Sequence, residues 1–274
     1  MADIKLIAFD LDGTLLNDDK QLTEENRSAL LDAAEKGILL VPATGRLAVA
    51  IPDVLKELPI RYMILMNGAQ IYDMQEDRVL DEVLIPWEQG VEIFRCFDYF
   101  PVIYDCYING WAFMSQAHRP YIDEYALNEH FRKMMWELRT PVPELKAHLA
   151  ENKLNLQKLQ AFFRPQEYPL RDQLLAHLKI PGIAVSSSLA NNIELNHADA
   201  TKGQALRKLA GILGIPITDT MAFGDGSNDL AMIRAAGIGV AMANGCNEVL
   251  NAADFITLDC NASGVGHAIR KFCL

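Results

Sequence analysis

Short apolar runs alternate with helical periodicities through the first third of the chain. Leu6 to Phe9 is continuously apolar, Thr23 to Lys36 carries apolar positions at helical spacing and stops at Gly37, and Ile38 to Val41 is apolar again. A further helix-like stretch leads into the apolar run Tyr62 to Met66. This order of strand, helix, strand, helix, strand predicts a parallel α/β layer. Thr23 suits a helix N-cap with Glu24 and Glu25 in the first turn, and Gly37 suits the stop. The last third repeats the rhythm, with Asn192 to Leu195, a helix from Lys202 to Leu213, Met221 to Phe223, a helix through Ile233, then Ile238 to Ala241 and Phe255 to Thr257. Both ends of the chain are therefore expected to build one parallel sheet.

The middle has a different texture. Residues 82–190 hold 16 of the 22 aromatic residues, which points to a second hydrophobic core and hence an inserted domain. Within it, Val102 to Ile108, Asn109-Gly110 and Trp111 to Met114 form a hairpin signal, since Asn-Gly supplies the positive φ angles of a type I′ turn. The expected architecture is α/β: a core from residues 1–81 and 191–274, and an inserted α+β domain from 82–190 with its own antiparallel sheet.

Charge and cysteine content remove several classes of function. Lys and Arg total 25 against 36 Asp and Glu, a formal net charge of -11 that would repel a nucleic-acid backbone at long range. No apolar run is long enough to span a bilayer, and the acidic start lacks the pattern of a signal peptide, so a cytoplasmic protein without a membrane or nucleic-acid partner is expected. The five cysteines are odd in number and scattered, which fits idle or buried thiols.

Chemistry concentrates at the predicted strand ends. Asp10 and Asp12 follow the apolar run Ile7-Ala8-Phe9 and point the same way if the backbone stays extended. Two carboxylates there are costly without a cation or a proton between them, which suggests a hard metal such as Mg²⁺, a nucleophile with an acid/base, or both. A polar turn is the competing reading. Met221-Ala222-Phe223 runs into a second acidic tip, Gly224-Asp225-Gly226-Ser227-Asn228-Asp229. Thr44-Gly45-Arg46 ends another strand and offers a hydroxyl and backbone N–H groups at an expected helix start, while Lys202 opens a helix as a candidate anion clamp. Together these describe a site for a phosphoryl group and a divalent ion.

In this order, Asp10-x-Asp12-Gly13-Thr14, Thr44-Gly45-Arg46, Lys202-Gly203 and the segment from Gly224 to Asp229 resemble the four motifs of the haloacid dehalogenase superfamily, and the long gap between the second and third resembles its Cof-type branch with a C2 cap. The resemblance implies a Rossmann-like core with an inserted cap. It also implies a nucleophilic Asp10 that forms an aspartyl-phosphate, and Asp12 as general acid and base. Mg²⁺ would be held by Asp10, the Asp12 backbone carbonyl and Asp225. Thr44, the Gly45 backbone, Lys202 and Asn228 would hold phosphoryl oxygens, with Asp229 in support and Asn67-Gly68-Ala69 bordering the site. The implied activity is Mg²⁺-dependent hydrolysis of a small phosphorylated metabolite, such as a sugar phosphate or a phosphorylated cofactor. A phosphomutase and a non-catalytic phospho-ligand-binding regulator are the alternatives. Substrate identity and oligomeric state are not readable from the residues.

Overall fold

Residues 3–187 and 189–274 are described by a computed structural model of the chain. The chain divides into two compact units, Met1–Glu82 with Ala200–Leu274, and Val83–Asp199.

The first unit opens with β1 (Leu6–Phe9), buried at every position, and α1 (Glu24–Glu35), whose Thr23 cap accepts the Asn26 N–H at 3.4 Å. After β2 (Leu39–Pro42) the expected helix does not form; two 3₁₀ turns, Ala48–Ala50 and Asp53–Glu57, take its place. Pro52 explains this, because proline disfavours a helical residue before it, and Ile51 is extended. Then β3 (Tyr62–Leu65), β4 (Gln70–Asp73) and β5 (Arg78–Glu82) make a small antiparallel sheet, with Ile64 bridged to Ala43 just beyond β2.

The second unit runs through α2 (Trp87–Phe97), β6 (Val102–Ile108), β7 (Trp111–Ser115), α3 (Ile122–Tyr125), α4 (Glu129–Leu138), β8 (Arg139–Val142), α5 (Leu145–Asn152), β9 (Lys158–Phe163), α6 (Arg171–His177), β10 (Ile183–Ser186) and β11 (Asn192–His197). Its six strands pair in the order β10-β11-β9-β6-β7-β8. Asn109 and Gly110 close the β6–β7 hairpin with φ of 49° and 79°, as a type I′ turn requires. Asn192 to Leu195, expected in the parallel sheet, instead lies in β11, antiparallel to both β9 and β10. The alternation explains it: Ile193 and Leu195 enter this unit's core beside Phe94, Leu145 and Leu159, while Asn192, Glu194 and Asn196 take the other face.

The chain then completes the first unit with α7 (Lys202–Ile212), β12 (Thr220–Gly224), α8 (Leu230–Ala235), β13 (Ile238–Ala241), α9 (Asn247–Ala252), β14 (Phe255–Ile256) and α10 (Gly264–Phe272). Its main sheet is parallel, in the order β14-β13-β12-β1-β2. Ile7, Phe9, Met221 and Phe223 bury one face beneath α1 and α10; Leu6, Ala8 and Ala222 bury the other beneath α7. Successive strands leave β1 toward β2 on one side, while β12, β13 and β14 build outward on the other. A ligand crevice belongs at the C-terminal ends of β1 and β12, where this reversal occurs. Among the described residues, no helix is long and apolar enough to cross a membrane.

Candidate active site

Asp10 and Asp225 follow the adjacent strands β1 and β12, whose last paired residues include Phe9 and Phe223. The Asp10 N–H donates to the Phe223 carbonyl at 3.1 Å, which extends the ladder one residue into the site. Lys202, the first residue of α7, is fully buried, with Nζ 2.6 Å from Asp10 Oδ1 and 2.5 Å from Asp229 Oδ1. The other Asp229 oxygen accepts the N–H groups of Asp225 at 3.0 Å and Gly226 at 2.9 Å, which fixes the turn after β12. Thr14 donates its hydroxyl to Asp225 Oδ1 at 2.7 Å.

Two carboxylates thus grip one ammonium, and a third stands beside them. Asp10, Asp225 and Asp229 offer oxygens within 4.8 Å of one another, and such a set could hold a metal ion. An all-carboxylate donor set suits a hard divalent cation. The electrostatics agree: burial, then the Asp229 and Asp225 charges, push the Asp10 carboxyl up to about 7 against the opposing pull of Lys202. Burial also raises Asp225, partly countered by Thr14. Asp10 and Asp225 each keep a second carboxylate oxygen beyond these bonds, available to a cation.

Asp12 has a separate environment. Burial would raise its pKa, but Arg46 and Lys20 outweigh burial and hold it at about 2. Arg46 grips it with two 2.8 Å bonds, Nε to Oδ2 and Nη2 to Oδ1, and Lys20 Nζ lies 2.9 Å from Oδ1. Asp10 and Asp12 therefore differ in charge environment despite their proximity in sequence.

Thr44 is buried after β2, and its Oγ1 accepts the Arg46 N–H at 3.2 Å. Its own N–H is bonded to the Ile64 carbonyl at 2.9 Å, so it is not the free donor expected, and no α-helix starts there. Gly45 is packed so closely that an added Cβ would stand 2.9 Å from Asn67 Oδ1. Asn67, in a left-handed conformation with φ of 62°, also accepts the Asn228 Nδ2–H at 3.2 Å. The loop after β3 therefore ties the Thr44 turn to the turn after β12. The Arg46 and Lys20 contacts to Asp12, and Thr14's hold on Asp225, are not readable from the sequence. Arg46 and Thr14 lie inside the motifs without a role of their own there; Lys20 carries no signal, because its approach depends on the turn from Asn17 to Gln21.

Residues 7–269 match the haloacid dehalogenase-like hydrolase family. The chain belongs to it. This hydrolase is 31% identical over 274 residues to the 5-amino-6-(5-phospho-D-ribitylamino)uracil phosphatase YcsE of Bacillus subtilis, with 99% of this chain and 97% of that protein covered. Among solved structures, a haloacid dehalogenase-like hydrolase from B. subtilis has a TM-score of 0.82 at 29% identity, over 99% of this chain and all of that one (100%). A sugar phosphatase of subclass IIB of the superfamily has a TM-score of 0.79 at 26% identity, over 98% of each chain. The hydrolase is accordingly a phosphatase, acting on phosphoric monoesters.

Proposed function

We propose that this phosphatase hydrolyses the phosphomonoester of a small metabolite in two steps, with Asp10 as nucleophile and Asp12 as the proton-transfer group. The observation that carries the reading is the fully buried Lys202 between Asp10 and Asp229, with Asp225 alongside. A carboxylate attacking a phosphate dianion meets repulsion of about 4 kcal/mol per charge pair at about 4 Å and an effective dielectric of about 20. Fixed cations must offset it.

In the first step an Asp10 oxygen bonds to phosphorus and the bond to the leaving oxygen breaks; Asp12, ionised in the ligand-free chain, must be protonated in the substrate complex to supply that oxygen's proton, and the second step returns a proton to it. In the second, water attacks phosphorus, Asp12 takes a water proton, and the Asp10–phosphorus link breaks to release inorganic phosphate. Thr44, the Gly45 backbone, Lys202 and Asn228 hold the phosphoryl oxygens, and Asp229 keeps Lys202 aimed. Mg²⁺, held by Asp10, Asp225 and the Asp12 carbonyl, would supply positive charge against the phosphoryl oxygens. The relatives act on a phosphorylated ribitylaminouracil and on sugar phosphates, which supports a small phosphorylated metabolite as substrate here. The inserted unit Val83–Asp199 is read as a C2-type cap domain.

The test is release of inorganic phosphate from p-nitrophenyl phosphate and from an alkyl phosphate, with and without Mg²⁺. Asp10→Asn should abolish turnover, because an amide attacks poorly. Asp12→Asn should still bind Mg²⁺ and lose about 10² to 10⁴ in rate. The loss should be smaller for p-nitrophenyl phosphate, whose leaving group needs little protonation, when single-turnover phosphorylation is followed. Full activity of Asp10→Asn would refute the reading.

A further inference from the structure

The two-step scheme assigns nothing to the cations on Asp12, yet they are the most directional contacts in the site. Arg46 meets both Asp12 oxygens in the fork geometry that only a guanidinium offers. It is itself anchored on three sides. Its Nη1 donates to the Ala50 carbonyl at 3.0 Å, its backbone N–H to Thr44 Oγ1 at 3.2 Å, and its carbonyl accepts the Met66 N–H at 3.2 Å. All three guanidinium nitrogens are thus donating to protein oxygens, an arrangement suited to aiming a neighbour. Lys20 adds a second contact, from a turn closed by Lys20 N–H to the Asn17 carbonyl at 2.9 Å and Gln21 N–H to Asn17 Oδ1 at 2.8 Å. The Lys20 side chain is 51% exposed against 22% for Arg46, so water weakens its grip.

We infer that Arg46 is a positioning residue that aims the Asp12 carboxyl for proton transfer, with Lys20 as a weaker second support. The inference rests on the role proposed above for Asp12. It joins two parts of the site, because the Arg46 backbone is bonded to the Thr44 hydroxyl proposed to hold the phosphoryl group. Misaiming a reacting group by about 1 Å can cost about 10² in rate.

The experiment measures kcat and KM for Arg46→Ala, Arg46→Lys, Lys20→Ala, Asp12→Asn and the double variant Asp12→Asn/Arg46→Ala, on an alkyl phosphate and on p-nitrophenyl phosphate in Mg²⁺. Arg46→Ala should lower kcat on the alkyl phosphate by about 10- to 10²-fold with KM changed by less than about twofold. The loss should be smaller on p-nitrophenyl phosphate. Arg46→Lys should recover part of it, lacking the fork. Lys20→Ala should cost up to about fivefold in the same leaving-group-dependent sense. In the Asp12→Asn background, Arg46→Ala should cost almost nothing further, since no carboxylate remains to aim. Multiplying losses in the double variant, or a change confined to KM, would overturn the inference and make Arg46 a substrate contact. If Asp12→Asn itself costs nothing, the proposed function falls and this inference with it; a full Asp12 effect with multiplying losses removes this inference alone. Should Arg46→Ala fail to fold, Arg46→Lys and Lys20→Ala, alone and combined with Asp12→Asn, carry the same comparison.

Discussion

Lys202 occupies a position that nothing favours except its partners. An ammonium at the first turn of α7 opposes the helix dipole, and complete burial removes its water. Burial pulls its pKa down, yet the Asp10 and Asp229 charges and hydrogen bonds outweigh that and raise it overall. The converse holds for the carboxylates: without Lys202, Asp10 and Asp229 would be buried with no cation between them. Lys202→Met should therefore destabilise the metal-free protein by about 3–5 kcal/mol, the usual cost of breaking a buried ion pair from one side. Urea unfolding at pH 8, where Asp10 of the parent chain is ionised, measures it, and Asp10→Asn in the same chain should reduce the loss by removing a carboxyl group that without Lys202 must either stay charged without a cation or take up a proton. Equal losses in both backgrounds would mean that Asp10 does not depend on Lys202 for its charge.

At the scale of elements, the helix that carries Lys202 is aimed by a close approach. The Gly203 Cα lies so near the Ala231 carbonyl of α8 that any Cβ would collide with it. Gly203→Ala should separate α7 from α8, cost about 1–3 kcal/mol and lower kcat by displacing Lys202. A methyl group added at Gly211 in the same helix would meet nothing within 4 Å, so Gly211→Ala should be neutral or stabilising by up to about 1 kcal/mol. Thermal unfolding of the two variants tests the pair, and the same sign for both would remove the packing argument. Legibility in sequence follows the same division between local and distant causes. The β6–β7 hairpin, the Thr23 cap and the buried strand β1 are readable because turn chemistry, capping and a four-residue apolar run act locally. The segment Asn192 to Leu195 reads as part of the wrong sheet because its pairing with β9 is set by partners thirty or more positions away in the chain, although its alternation already differs from the continuous run of β1. The acidic tips are visible as motifs. The hold of Arg46 and Lys20 on Asp12 is not, since it depends on where β2 and the turn from Asn17 to Gln21 end in space.

For the whole molecule, the reversal of strand order at β1 and β12 gathers Asp10, Asp225 and Asp229 into one cluster beside Lys202, and that gathering ties the stability of the fold to pH and to metal. Asp10 and Asp12 act in different windows. Asp12, held at about 2 by Arg46 and Lys20 against the effect of burial, contributes stability that is complete above its unfolded value of about 3.9 and is lost as pH falls toward 2. Its partial exposure keeps that contribution small. Asp10, pushed up to about 7 chiefly by burial, has the opposite sign. Between about pH 4 and 7 the native chain holds a proton that the unfolded chain has released, so the metal-free protein loses stability as pH rises through this window and levels off above it. A divalent cation binds the ionised carboxylates, so it competes with that proton and stabilises the native chain more at pH 8 than at pH 5. Urea unfolding at pH 5, 6, 7 and 8, with EDTA and with Mg²⁺, should show a steeper decline in EDTA for the wild-type chain than for Asp10→Asn, where no proton exchanges. Mg²⁺ should reverse the decline in the wild type and do much less in Asp10→Asn. Titrating groups outside the cluster of Asp10, Asp225, Asp229 and Lys202 are common to both chains and cancel in the comparison, so identical slopes would show that Asp10 does not carry the linkage.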